Sequence, residues 1–114
     1  MPAASEEGGV VTNGMSNYAR DGRNANSALV VQVSERDFSG DSPLSGIEFQ
    51  RSLERAAFAA GGNDYSAPVQ LVGDFLRDRE SSRLGSVAPT YPVSPAFADL
   101  RTVLPPFVVS ALKA

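Results

Sequence analysis

Residues 45–62 read SGIEFQRSLERAAFAAGG, and the helical part of the molecule is legible from that stretch. Phe49, Leu53, Ala56, Ala57 and Ala60 recur at intervals of three and four, which places them on one face of a helix. Ser45, Gly46, Ile47 and Glu48 have the form of a capping box, in which a hydroxyl and a carboxylate satisfy the first free amides. Gly61 and Gly62 supply the left-handed stop common at helix ends. The pattern predicts a helix over residues 46–60.

Downstream, Ser66 and Pro68 have the form of a cap and first turn for a second helix carrying Val69, Val72, Phe75 and Leu76 on one stripe, weakened by Gly73. Residues 81–91, rich in Ser, Gly and Pro, predict an exposed loop. Ser94 and Pro95 then predict a short helical turn bearing Phe97, Leu100 and Val103. Pro105 and Pro106 break the chain, and Phe107, Val108, Ala111 and Leu112 open a last helix that runs to Ala114. Eight residues are few for a free helix, because nucleation is costly, so this helix is expected to belong to a longer element.

Upstream, Val10–Val11 and Ala28–Val33 read as strands. The second is the stronger, since β-branched residues dominate and Leu29, Val31 and Val33 share a face at period two. Between them lies a polar connection, residues 12–27, that is expected to be a functional or disordered loop. The expected fold class is α+β: a few short strands in the N-terminal part followed by three to four packed helices. Residues 1–114 form a single domain or a fragment, divided into a strand-rich glycine and asparagine loop region (1–34) and a helical region (45–114).

Composition excludes several functions. The net charge is −3, and the ten basic residues alternate with acids, as in Arg51, Glu54, Arg55 and in Arg77, Asp78, Arg79, Glu80, so no cationic patch for nucleic acid forms. There is no cysteine and no histidine, which removes thiol and triad chemistry, His-ligated zinc and the usual neutral-pH base. Glu6 with Glu7 and Asp74 with Asp78 are the neighbouring carboxylates, and nothing in their sequence setting suggests a shifted pKa suited to acid and base work. The longest apolar run, Leu104–Val109, contains two prolines and falls far short of the roughly 20 residues a bilayer span needs. The start MPAASEEGG lacks a basic and apolar leader, and a cytoplasmic location is the default expectation.

The run AASEEGGVVTNGMSNYARDGRNANSALVVQV, with GIEFQRSLERAAFAAGGNDYSAPVQLVGDFL and ADLRTVLPPFVVSAL, resembles a bacterial family of FAD-dependent dehydrogenases, also described as NAD(P)/FAD-dependent oxidoreductases. GGVVTNGMS, ARDG and NANSAL agree with it in order and spacing. The resemblance implies an internal segment of a longer protein, lying on the substrate side of the flavin and inserted into the FAD-binding fold. The family's dinucleotide-binding unit, with its Gly-rich phosphate turn, has no counterpart here: GxGxxG occurs nowhere in these residues. Nor do the cysteine-containing stretch that precedes the segment in the family or the later Gly-rich segment that completes the flavin site. Met1 is therefore expected to start a piece or a fragmentary reading frame. FAD is expected in the full-length parent and not on this chain alone, which is expected to be inactive by itself. The expected partner is the remainder of the parent flavoprotein, with self-association through exposed apolar helices as a further contact, and neither nucleic acid nor membrane.

The candidate cofactor-binding residues are Asn13, Gly14, Ser16, Arg20, Asn24, Asn26 and Ser27, whose amide, hydroxyl and guanidinium groups suit the isoalloxazine edge or a substrate. No catalytic or metal-binding residue is assigned. The plainer reading stands beside this one: Asn13–Gly14 and Asp21–Gly22 form tight turns, and Arg20 with Asp21 is an exposed ion pair. Asn63, Asp64 and Tyr65 read as a helix cap followed by a turn, and Phe49, Phe58, Phe75 and Phe97 as core. A second function remains open, a free-standing protein-interaction module without catalytic activity. A small cofactor-free hydrolase has no residues to support it.

Overall fold

The computed structural model describes residues 6–12, 18–38, 40, 42–86, 88–91 and 93–114. The central helix, α1, spans Ser45–Ala60. At its C-terminal end Gly62 has φ +98°, its amide donates to the Ala59 carbonyl at 3.1 Å, and the Asn63 amide reaches the Phe58 carbonyl at 3.0 Å. This pair of bonds is a Schellman cap. The N-terminal end departs from the expected capping box. Ser45 is already helical and buried, and its hydroxyl donates to the Gly40 carbonyl at 3.2 Å, so it does not cap the helix. The turn before it does part of that work: the Leu44 amide donates to Ser42 Oγ at 3.1 Å and the Leu44 carbonyl accepts from the Glu48 amide at 3.0 Å.

The strands lie elsewhere than the sequence pattern places them. Ala67–Val69 (β1) and Pro95–Phe97 (β2) form a two-stranded parallel sheet, with Ala67 opposite Pro95 and Val69 opposite Phe97. The connection between them contains a short helix, Val72–Leu76 (α2), as parallel pairing requires a crossover. In the sequence pattern Pro68 and Pro95 predict helix starts. Proline suits the first turn of a helix and a short edge strand for the same reason, a fixed φ and no amide hydrogen to satisfy. Burial of Ala67 and Ala98, and the Ala98 amide donating to the Val69 carbonyl at 3.1 Å, accompany the strand outcome. Among the described residues, Val10–Val11 and Ala28–Val33 lie in no ladder, and Thr12 beside the first is a single bridge residue. The class is α+β, with its strands in the second half of the chain.

The last helix, Pro106–Lys113 (α3), begins one residue before the expected Phe107, with Pro106 inside its first turn and not in the break before it. Phe49 on α1 lies 5.5 Å from Phe38 and 6.4 Å from Phe107 between ring centres, which joins the 3-10 turn Glu35–Asp37, α1 and α3. Gly46 makes room for this: a methyl there would come within 3.3 Å of the Phe38 ring. At the other end of α1, Phe58 packs edge-on against Tyr65 at 4.8 Å. The Tyr65 hydroxyl accepts from the Gly8 amide at 3.3 Å, and its carbonyl accepts from the Tyr91 hydroxyl at 2.9 Å. The N-terminal segment lies along α1, with the Val10 amide donating to the Glu54 carbonyl at 3.1 Å.

The buried apolar core is small among the described residues: Val10, Ala67, Phe75 and Ala98. Phe97, expected in the core, is 38% exposed at the strand end. The chain exposes 8424 Å², against roughly 6,000 Å² for a compact monomer of its mass. Among the described residues no helix is long and apolar enough to cross a membrane.

Candidate functional site

Of the polar loop singled out in the sequence, the described residues Arg20, Asn26 and Ser27 are exposed and Asn24 is half-buried. Asn13, Gly14 and Ser16 fall outside the described residues. Arg20 is exposed and has φ 55°, a left-handed conformation that costs a side-chain-bearing residue roughly 1–2 kcal/mol. The bends fall at Tyr18–Ala19 and Arg23–Asn24, so the expected Asp21–Gly22 turn is displaced to either side. Asn24 is half-buried, and its Nδ2 donates to the Ala88 carbonyl at 2.6 Å, which ties the loop to the 81–91 connection. Asn26 and Ser27 are exposed.

A second polar cluster, not foreseen from the sequence, sits beneath α2. The buried Ser81 hydroxyl accepts from the Leu71 amide at 2.8 Å and donates to Asp74 Oδ2 at 2.7 Å, while Arg79 Nε donates to Asp74 Oδ1 at 2.7 Å. Gln70 bridges the same region, with Nε2 donating to the Arg79 carbonyl at 2.6 Å and Oε1 accepting from the Leu100 amide at 3.0 Å. Next to it Asp99 caps the 3-10 turn Leu100–Thr102, accepting from the Arg101 amide at 3.0 Å and from its guanidinium at 2.7 Å. Arg101 also donates to the Asp78 carbonyl at 3.0 Å, and Lys113 pairs with the Asp78 carboxylate.

These contacts set the protonation of the cluster. The Ser81 hydroxyl, with Arg79 beside it, holds Asp74 below the usual carboxylate range; Lys113 does so for Asp78 and Arg101 for Asp99. Asp64 is lowered by Ser66 within the turn after α1. Nothing in the sequence setting of Asp74 or Asp78 suggests a shift, yet both are shifted, and downward, toward weaker bases at neutral pH. The cluster fastens β1, α2 and the 3-10 turn together. Its bonds span up to 35 residues, so no local pattern announces them.

A shallow depression between the N-terminal segment and α1, lined by Glu6, Glu7, Gly9, Arg51, Glu54 and Arg55, encloses room for about one water molecule. Arg51 pairs with Glu6 across it at 3.2 Å. Among the described residues no group of acidic, His or Cys side chains could hold a metal ion.

Comparison with known proteins places the chain in a wider setting. A family model described as "FAD-dependent protein, C-terminal domain-like" matches residues 1–114. A protein of Clostridium beijerinckii (strain ATCC 51743 / NCIMB 8052), named "Uncharacterized protein", is 60% identical over 113 residues, which covers 99% of this chain and 21% of the relative. The chain spans about a fifth of that relative's length.

Proposed function

Because the chain belongs to the FAD-dependent protein, C-terminal domain-like family, we propose that it is the substrate-side segment of a larger FAD-dependent oxidoreductase. The observation that carries this reading is the family match along the full 114 residues. FAD in the parent would supply electron or hydride transfer, the isoalloxazine doing the redox chemistry. The phosphate cradle would come from the remainder of the polypeptide, since a Gly-rich turn at a helix start is the usual holder of a pyrophosphate and none occurs here. The residues of this chain assigned toward the flavin or substrate are those of the polar loop: Asn13, Gly14, Ser16, Arg20, Asn24, Asn26 and Ser27. Dehydrogenase activity is the finer part of the proposal.

The test is direct. The full-length protein should purify yellow, with one FAD per chain measured by visible absorption after heat release, and a reduced nicotinamide or a hydride-donating substrate should bleach it. The 114-residue chain mixed with FAD should leave flavin fluorescence unchanged. A colourless full-length protein that fails to take up added FAD overturns the proposal.

A further inference from the structure

We propose that Ala28–Val33 is a β-strand whose ladder partner is an edge strand of the parent polypeptide outside these 114 residues. This rests on the reading of the chain as part of a larger flavoprotein. The segment reads ALVVQV, rich in β-branched residues. Over residues 30–33 its alternation is realised in three dimensions: Val31 and Val33 are half-buried, while Val30 is 86% exposed and Gln32 is exposed. A strand with one face on a body behaves in this way. Yet no backbone hydrogen bond joins residues 28–33 to another described residue.

Two features identify the occupant as a strand. The row of amides and carbonyls from 28 to 33 is open to backbone partners, which an added strand supplies and a docked helix does not. Leu29, 76% exposed, and Val30 also need apolar cover, which neighbouring side chains of a strand provide at the same time. The segment carries no charge and no proline, the devices by which proteins guard an edge left open. The relative matched over 99% of this chain is about five times as long, so polypeptide is available to supply the partner.

Amide hydrogen exchange on the full-length protein tests this. Amides 28–33 should exchange at least about 100-fold more slowly than an unstructured chain, as in a ladder. Replacing Val30 and Val31 together by proline should abolish that protection, and the paired control Val30→Thr with Val31→Thr should keep it. Exchange within about 10-fold of the unstructured rate in the full-length protein overturns the proposal. So does equal protection in the 114-residue chain alone at low concentration, or protection that appears only as concentration rises, which would make a second copy the occupant. Flavin content of the same sample separates the two claims. A yellow protein with unprotected amides rejects the strand alone, and a colourless protein with protected amides rejects the flavin reading alone.

Discussion

Gly61 shows how one position can be dictated by backbone alone. A methyl group there would overlap the Ser66 carbonyl, because the chain doubles back over the helix end toward β1. Gly61→Ala should therefore cost at least about 3 kcal/mol, in the range of severe steric substitutions. Gly62→Ala, with nothing closer than Asp64 Oδ1 at 3.9 Å but φ at +98°, should cost only about 1–2 kcal/mol. Urea unfolding followed by far-UV circular dichroism ranks the two, and an equal loss would contradict the steric account. The aspartates give a second prediction. Asp64, Asp74, Asp78 and Asp99 are all held below their ordinary range in the fold, so the unfolded chain takes up protons first as the pH falls. Their stabilisation is present in full above about pH 5 and is lost progressively below it. Melting temperature should be flat near neutrality and drop below that point, and Asp74→Asn should be less stable at pH 7 with a shallower drop. At this scale the sequence was partly legible. The double glycine announced the stop after α1, while the role of Ser45 was misread because its hydroxyl bonds to Gly40, a contact that depends on tertiary placement.

The elements that were legible are those whose signal is internal. α1 and α3 carry their own apolar stripes, and both appear within a residue of their expected bounds. The strands were illegible for a physical reason: each is three residues long and contains a proline, and neither exists without the other. A period cannot be read from three residues, and the pairing that makes them strands spans 28 positions of chain. The candidate loop was legible in composition but not in geometry, since Asn24 turns to the Ala88 carbonyl, a partner 64 residues away. The connection between the strands is fastened through Ser81, which couples β1's end to α2. Ser81→Ala strands the Leu71 amide and removes one donor from Asp74, so a loss of about 1–3 kcal/mol is expected. Ser81→Thr, which keeps the hydroxyl, should recover more than half of it. Thermal unfolding of the two variants decides the matter, and an unchanged melting point for Ser81→Ala would show the link to be dispensable.

At the scale of the whole molecule, stability is concentrated in one part of the chain. α1, the parallel strands, α2 and α3 are joined by the ring cluster around Phe49 and by the bonds of Ser81, Gln70 and Arg101. Residues 18–30 lie outside that body, exposed except at Asn24, with Tyr18, Leu29 and Val30 turned to solvent. Local opening is governed by how many buried contacts and backbone bonds a segment must give up, so this stretch should open far more often than α1. The two regions carry matched reporters. Arg20 and Arg23 lie in the loop, and Arg51 and Arg55 lie on the exposed side of α1. Trypsin at low dose should cut the 114-residue chain after Arg20 and Arg23 at least about 10-fold faster than after Arg51 and Arg55, because cleavage needs an extended, opened backbone. Mass spectrometry of the early products should find a fragment beginning at residue 24 that keeps its helical circular dichroism. Simultaneous cleavage at all four sites would mean that the body opens as readily as the loop. In the full-length protein the same two loop sites should be slowed if the neighbouring strand at 28–33 is clamped by its partner, while the rates at Arg51 and Arg55 change little.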